Sequence, residues 1–229
     1  MNMLDRGVTH RPVHPLLWIL LGAMVLPELL FAAVDLGYVG REAGREAAYV
    51  RFGFWDPVFE HARQGYGFPL ELLWTPVTHA FLHGGWLHLA MNGAAFLGLG
   101  HLISQSVGIR ALLWIFLGTA AGGALAYGLL ADFRGPMVGA SGVVFGFLGV
   151  VTAWQERYLR RRGLDRSPIW GRILGLIAIN ALLDFGMGGM LAWQAHLGGF
   201  VAGWIIAQRI RPRPPRAPWT TRQPLSGRA

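Results

Sequence analysis

Apolar residues gather into six stretches, each bounded by charge or by turn residues. They cover residues 15–34, 86–103, 111–130, 138–154, 173–185 and 193–207. A helix of about 20 apolar residues crosses a hydrocarbon core of roughly 30 Å. The pattern therefore predicts an all-α polytopic membrane protein, a six-transmembrane-helix bundle over residues 15–210. The fifth stretch is short and glycine-ended. The first follows a basic N-terminal segment, residues 1–14, with no small-residue cleavage site after it, so it reads as an anchor.

Polar positions between these stretches orient the bundle. Arg157, Arg160, Arg161, Arg162, Arg166 and Arg172 crowd the fourth connection, and Arg209, Arg211, Arg213, Arg216, Arg222 and Arg228 follow the last stretch. Arg6 and Arg11 precede the first, and Arg110 separates the second from the third. The connections at residues 132–134 and 184–189 are nearly free of net positive charge. Cytoplasmic loops carry the excess of basic residues, which puts both termini in the cytoplasm. Residues 35–71 then form an outer connection. They carry Tyr49, Phe52, Phe54, Trp55, Phe59 and Tyr66, as a segment lying in the head-group region would. The Pro- and Arg-rich residues 211–229 read as a disordered cytoplasmic tail. Trp18, Trp86, Trp114, Trp154 and Trp193 sit near stretch ends and read as interface anchors.

Composition agrees with a membrane protein. Of 229 residues 53% are hydrophobic and 14% charged, against about 25% charged in soluble domains. The formal net charge is +8 with no Lys, which suits anionic lipid head groups. A nucleic-acid-binding protein would not be this apolar, so the expected partner is the lipid bilayer and not nucleic acid. There is no Cys, hence no disulfide and no thiolate nucleophile. The glycine-rich, Lys-free composition suggests a bacterial protein of the inner membrane.

Polar groups inside apolar spans are expensive and need a reason. Four stand out: His88, Asn92, Ser141 and His196. Given the orientation above, all lie within about two turns of the outer end of their spans. Ser141 sits among Gly139, Ala140 and Gly142, and small residues recur every fourth position at Gly142 and Gly146 and at Ala195, Gly199 and Gly203. Such ladders let membrane helices approach closely. Ser141 and His196 each sit one residue from a ladder, so its closure would bring hydroxyl and imidazole near each other. Taken alone, Ser141 could be simple helix packing. With His196 it reads as a nucleophile beside its base. Asn92, His88 and the Ser141 N–H are candidate donors to a developing oxyanion. No carboxylate lies deep in a span near His196, which predicts a dyad, and Asp184 reads as a loop residue rather than a third member. His79, His83 and His88 lack companion ligands at metal spacing, so neither metal nor cofactor is expected. The soluble hydrolase elbow G-x-S-x-G is not matched, because Val143 fills its last position.

Three motifs carry a family resemblance. HAFLHGGWLHLAMN (His79 to Asn92), GASG (Gly139 to Gly142) and AHLGGFVAG (Ala195 to Gly203) occur in this order on the second, fourth and sixth stretches. Together they resemble the rhomboid family of intramembrane serine proteases, over about residues 74–203. The resemblance implies Ser141 as nucleophile, His196 as general base, and His88 and Asn92 with the Ser141 N–H as oxyanion donors. It implies that Phe145 packs on the catalytic histidine, where many members have Tyr, and that His83 supports the outer loop. Thr75 stands after Trp74 where many members have Arg. The implied substrates are single-span membrane proteins, cut near the outer face at helix-destabilised sites. The alternative is a catalytically silent relative that binds membrane segments. Such a protein would be expected to lack Ser141 or His196, and both are present.

Overall fold

The computed structural model describes residues 12–131, 135–186, 188 and 191–212. Six long helices form its body: α1 (Pro15–Asp35), α5 (Trp86–Val107), α6 (Ile109–Leu130), α7 (Ser141–Arg161), α8 (Ser167–Gly186) and α9 (Trp193–Arg209). They coincide with the six apolar stretches and extend most of them. α7 runs seven residues past its apolar run, and α8 starts six residues before its own because Ser167 and Pro168 open it. Four of these helices, α1, α5, α6 and α8, are long and apolar enough to cross a membrane. The chain is therefore a multi-pass helical membrane protein. α9, at 17 residues, and α7 fall short of that combined length and hydropathy.

Chain ends and corners follow from local chemistry. Pro15 occupies the first turn of α1, and His14 Nδ1 accepts the Leu16 N–H at 3.2 Å. Gly108, at φ 90°, ends α5 and starts α6, making a one-residue corner between them. The N-terminal residues through 11, residues 132–134 and the tail from 213 lie outside the described residues, and so does most of the expected disordered tail.

Small residues set the packing. α9 lies between α6 and α7. A Cβ on Gly199 would run into Gly142 O, and one on Gly203 into Gly146 O. On the other side, a Cβ on Gly198 would meet the backbone of Gly122, and one on Gly123 would lie 3.0 Å from Ala195 O. α1 packs against α5 at Gly93 and Gly100, where a Cβ would come within 2.8 Å of Leu21 and Leu17 respectively. Phe96, Phe116 and Phe147 fill the centre, with Phe96 and Phe147 stacked at 5.8 Å.

The connection 35–71 contains α2 (Arg45–Phe52), β1 (Phe54–Trp55) and α3 (Asp56–Arg63). β1 pairs antiparallel with β2 (Pro136–Met137), with Phe54 opposite Met137. This ribbon ties the 35–71 connection to the segment that leads into α7. Its aromatics are structural: Phe54 is buried, Trp55 Nε1 donates to Tyr49 O at 2.9 Å, and Phe59 packs where Gly128 leaves room. The helical turn α4 (Thr75–Thr78) follows, with Thr75 buried and its hydroxyl donating to Glu71 O at 2.8 Å.

Two features differ from the sequence expectation. Trp154 is buried, not interfacial, and its Nε1 donates to Ile210 O at 2.9 Å just past the end of α9. Glu28 is a fully buried acid inside α1 that the search for polar span residues passed over. Arg45 pairs with it bidentately at 2.8 and 2.9 Å.

Candidate active site

The serine motif is a turn held from both sides. Gly139 adopts φ +120°, a conformation open to glycine. Its N–H donates to His79 O at 2.9 Å. The Ala140 N–H donates to His83 Nε2 at 3.4 Å. Ser141 then starts α7, where the first-turn N–H groups have no intrahelical acceptor. No side chain caps this end. The backbone there thus offers N–H groups to an anion.

His83 is fixed as a neutral support. Burial, and then the neighbouring His88, push its pKa down to about 3. A neutral ring with Nε2 accepting carries its proton on Nδ1. The same residue's carbonyl accepts from Arg45 at 2.6 Å and from the Tyr49 hydroxyl at 2.7 Å. The Glu28–Arg45 pair therefore braces the loop that reaches Ala140. In this chain a guanidinium from α2 holds the loop before α5, and Thr75 makes only a local bond.

The other second-stretch residues line the turn. Gly84 N–H donates to His88 Nδ1 at 3.2 Å, which leaves the proton on His88 Nε2. A Cβ on Gly139 would lie 2.8 Å from His88 Nε2 and 3.6 Å from Asn92 Nδ2. Both donors thus face the backbone two residues before Ser141. Asn92 is buried, and its Nδ2 has no hydrogen-bond partner. It is one of six buried side-chain polar atoms without a protein partner among the described residues, and the amide donor of the six, and it lies beside the serine turn.

His196 comes from α9, buried against α7. Its ring stacks on Phe145, with centroids 4.3 Å apart and planes 3° from parallel. Phe145 lies one turn after Ser141, so serine and stacking ring share a face of α7. Gly142, Gly146, Gly199 and Gly203 all lie in the α7–α9 contact. The Ser141 hydroxyl makes no hydrogen bond among the described residues.

Sequence reasoning missed one partner. Asn180, on α8, places Oδ1 2.5 Å from His196 Nδ1. Its signal was available: it is a strongly polar residue in an apolar run, and such residues need a reason. The Asp184 carboxylate accepts the Leu191 N–H at 3.2 Å, a bond between the end of α8 and the α8–α9 connection. Among the described residues, no three His, Asp or Glu side chains cluster as a metal site. His79 faces elsewhere, with Nε2 3.3 Å from Ala120 O.

A model of the Rhomboid domain matches residues 71–213. The chain belongs to the rhomboid family. It is 31% identical over 150 residues to an uncharacterized protein of Mycobacterium tuberculosis, covering 59% of this chain and 58% of that one. It is 29% identical over 148 residues to RHOMBOID-like protein 5 of Arabidopsis thaliana, covering 62% of this chain and 45% of that one. It is also 29% identical over 141 residues to rhomboid protease GluP of Bacillus subtilis, covering 60% of this chain and 26% of that one. The match thus spans less than two thirds of the length of each of these relatives.

Proposed function

We propose that this chain is an intramembrane serine endopeptidase that cleaves transmembrane segments of single-span membrane proteins near the outer face. The observation that carries this reading is the pair of donors, His88 Nε2–H and the unpartnered Asn92 Nδ2, aimed at the turn that presents Ser141. A buried donor left without an acceptor costs stability. It is explained if its acceptor is an oxyanion that exists only during reaction. Similarity to a protein named as a rhomboid protease supports the same reading.

The chemistry follows from the residues. Ser141 Oγ attacks the scissile carbonyl carbon while its proton passes to His196 Nε2. The carbonyl π pair moves onto oxygen, which accepts from Asn92, His88 and the Ser141 N–H. Collapse breaks the C–N bond, and His196 returns the proton to the leaving amine. Water repeats the sequence on the acyl-enzyme. The Ser141 hydroxyl, without a hydrogen bond among the described residues, gains its bond to His196 as the substrate seats, since catalytic hydrogen bonds often form fully only in the substrate complex. Phe145 holds the imidazole plane. The four glycines Gly142, Gly146, Gly199 and Gly203 bring the two helices close enough for the dyad.

In this reading α7 and α9 also cross the bilayer, giving six spans with both termini cytoplasmic in a bacterial inner membrane. Outer-side placement of the site lets water reach the acyl-enzyme. The test is cleavage of a fluorescently labelled single-span substrate in detergent and in liposomes. Wild type should cleave it, and Ser141→Ala and His196→Ala should not. Cleavage by either variant at the wild-type rate would overturn the dyad. A folded wild type that binds such segments without cutting any substrate in a peptide-segment library would favour the silent relative.

A further inference from the structure

We propose that Asn180 is a positioning residue for His196, fixing which imidazole nitrogen is free to act as base. The inference rests on the reading of His196 as the general base. Asn180 donates through Nδ2 to Leu176 O at 2.8 Å. A backbone carbonyl only accepts, so the amide cannot be turned around without losing that bond. Its oxygen therefore faces His196 Nδ1. An amide oxygen also only accepts, so Nδ1 must carry the proton. In a neutral imidazole the other nitrogen, Nε2, is then unprotonated. One backbone carbonyl on α8 thus selects the tautomer of a ring on α9.

The two restraints on His196 are complementary. Phe145 stacks on the ring face and sets its plane, but a stacked ring can still turn within that plane. The Asn180 bond removes this freedom, because it anchors one edge atom. Plane and in-plane rotation together define where Nε2 points. A base is effective only when so aligned. The simpler alternative is that Asn180 merely glues two membrane helices through one interhelical hydrogen bond. Glue needs no particular partner atom. The distinguishing feature is that this bond ends on the ring nitrogen opposite the one read as the base, and so sets its protonation state.

The position of Asn180 in the fold adds weight. α8 is the least embedded of the long helices, with Ile169 its one buried residue among those described, and Leu174, Ile177 and Leu182 are exposed to the surroundings. Apolar packing alone would not hold α8 in register with α9. Seating of α8 therefore reaches the dyad through one directional bond.

Two measurements test this. The first is cleavage kinetics of Asn180→Leu and Asn180→Asp beside wild type and Ser141→Ala, with thermal midpoints recorded. Asn180→Leu should lower kcat about 10- to 100-fold with KM within about twofold. Asn180→Asp, which keeps an acceptor at the same place, should restore kcat to within about threefold of wild type. The second is nitrogen-15 NMR of labelled His196 in the Ser141→Ala protein. It should report a protonated Nδ1 and an unprotonated Nε2, with that preference lost in Asn180→Leu. Wild-type kcat in Asn180→Leu, or an Nε2–H tautomer with Asn180 present, would overturn the proposal. If Asn180→Leu fails to fold, the tautomer with Asn180 present still decides it. Loss of cleavage in Ser141→Ala with kcat intact in Asn180→Leu would sink the Asn180 role alone. Full cleavage by Ser141→Ala would sink the protease reading and this inference with it.

Discussion

The rings of Phe145 and His196 lie face to face, 3° from parallel with centroids 4.3 Å apart. The helix that carries Ser141 thus also holds the plane of the imidazole. An aromatic contact of this kind is worth about 1 kcal/mol beyond its burial. Phe145→Leu keeps apolar volume but loses the flat face. It should lower kcat about fivefold, with the protein still folded. Phe145→Tyr keeps the ring and should stay within about twofold of wild type. Equal kcat for Phe145→Leu and wild type would show that stacking does not orient His196.

On the proposed reading, Asn92 should separate catalysis from stability. Its Nδ2 is buried and unpartnered in the free protein. Removing a donor that aids only the transition state typically costs about 10²–10³ in kcat. Removing a buried group with no partner should not destabilise the fold through lost hydrogen bonding. Asn92→Ala should therefore lose kcat at nearly constant KM while its thermal midpoint stays level or rises. A lowered midpoint with kcat unchanged would mean that Asn92 is an ordinary packing residue.

The long helices and the packing around the candidate site were legible in the sequence, for reasons that differ residue by residue. Apolar runs located the long helices because lipid demands them. The glycine ladders foretold the α7–α9 contact because close backbone approach tolerates only small residues, and Gly199 and Gly203 indeed face Gly142 and Gly146. Asn180 was visible as a polar residue in an apolar run, but its partner depends on how α8 turns toward α9, a tertiary fact with no local spacing. Glu28 escaped because its partner Arg45 lies 17 residues away on α2, beyond any helical periodicity. Trp154 was misplaced because a tryptophan near a span end suits an interface and a helix cap equally well. Only packing decides between them.

The Glu28–Arg45 pair should govern both stability and the loop. Breaking a buried ion pair from one side costs about 3–5 kcal/mol. Arg45 is 34% exposed and can turn toward water, so Glu28→Ala should sit near the low end, about 3 kcal/mol. Cleavage should fall as well, since Arg45 also holds His83 O, and His83 holds the Ala140 N–H. Arg63→Ala, which breaks an exposed pair with Glu60, should leave midpoint and activity unmoved. Unfolding titrations of the three proteins in one detergent decide this. A Glu28→Ala midpoint equal to that of Arg63→Ala would remove the brace from the account.

Gly199 tests whether close packing itself positions the dyad. A Cβ there would overlap Gly142 O, a backbone atom one residue from Ser141 that cannot swing aside. The helices must then separate, and separation draws His196 away from Ser141. Gly199→Val should abolish cleavage, and Gly199→Ala should reduce it about 10²-fold or more, the scale of an ångström of misplacement. Neither variant removes a catalytic group. Gly175 on α8 provides the control, since a Cβ there meets nothing within 4 Å. Gly175→Ala should keep activity and gain slightly in helix stability. Folding is scored independently by the thermal midpoint and by the helical circular dichroism of each variant. Wild-type cleavage by a folded Gly199→Val protein would show that the glycine ladder packs the helices without setting the reach of the base.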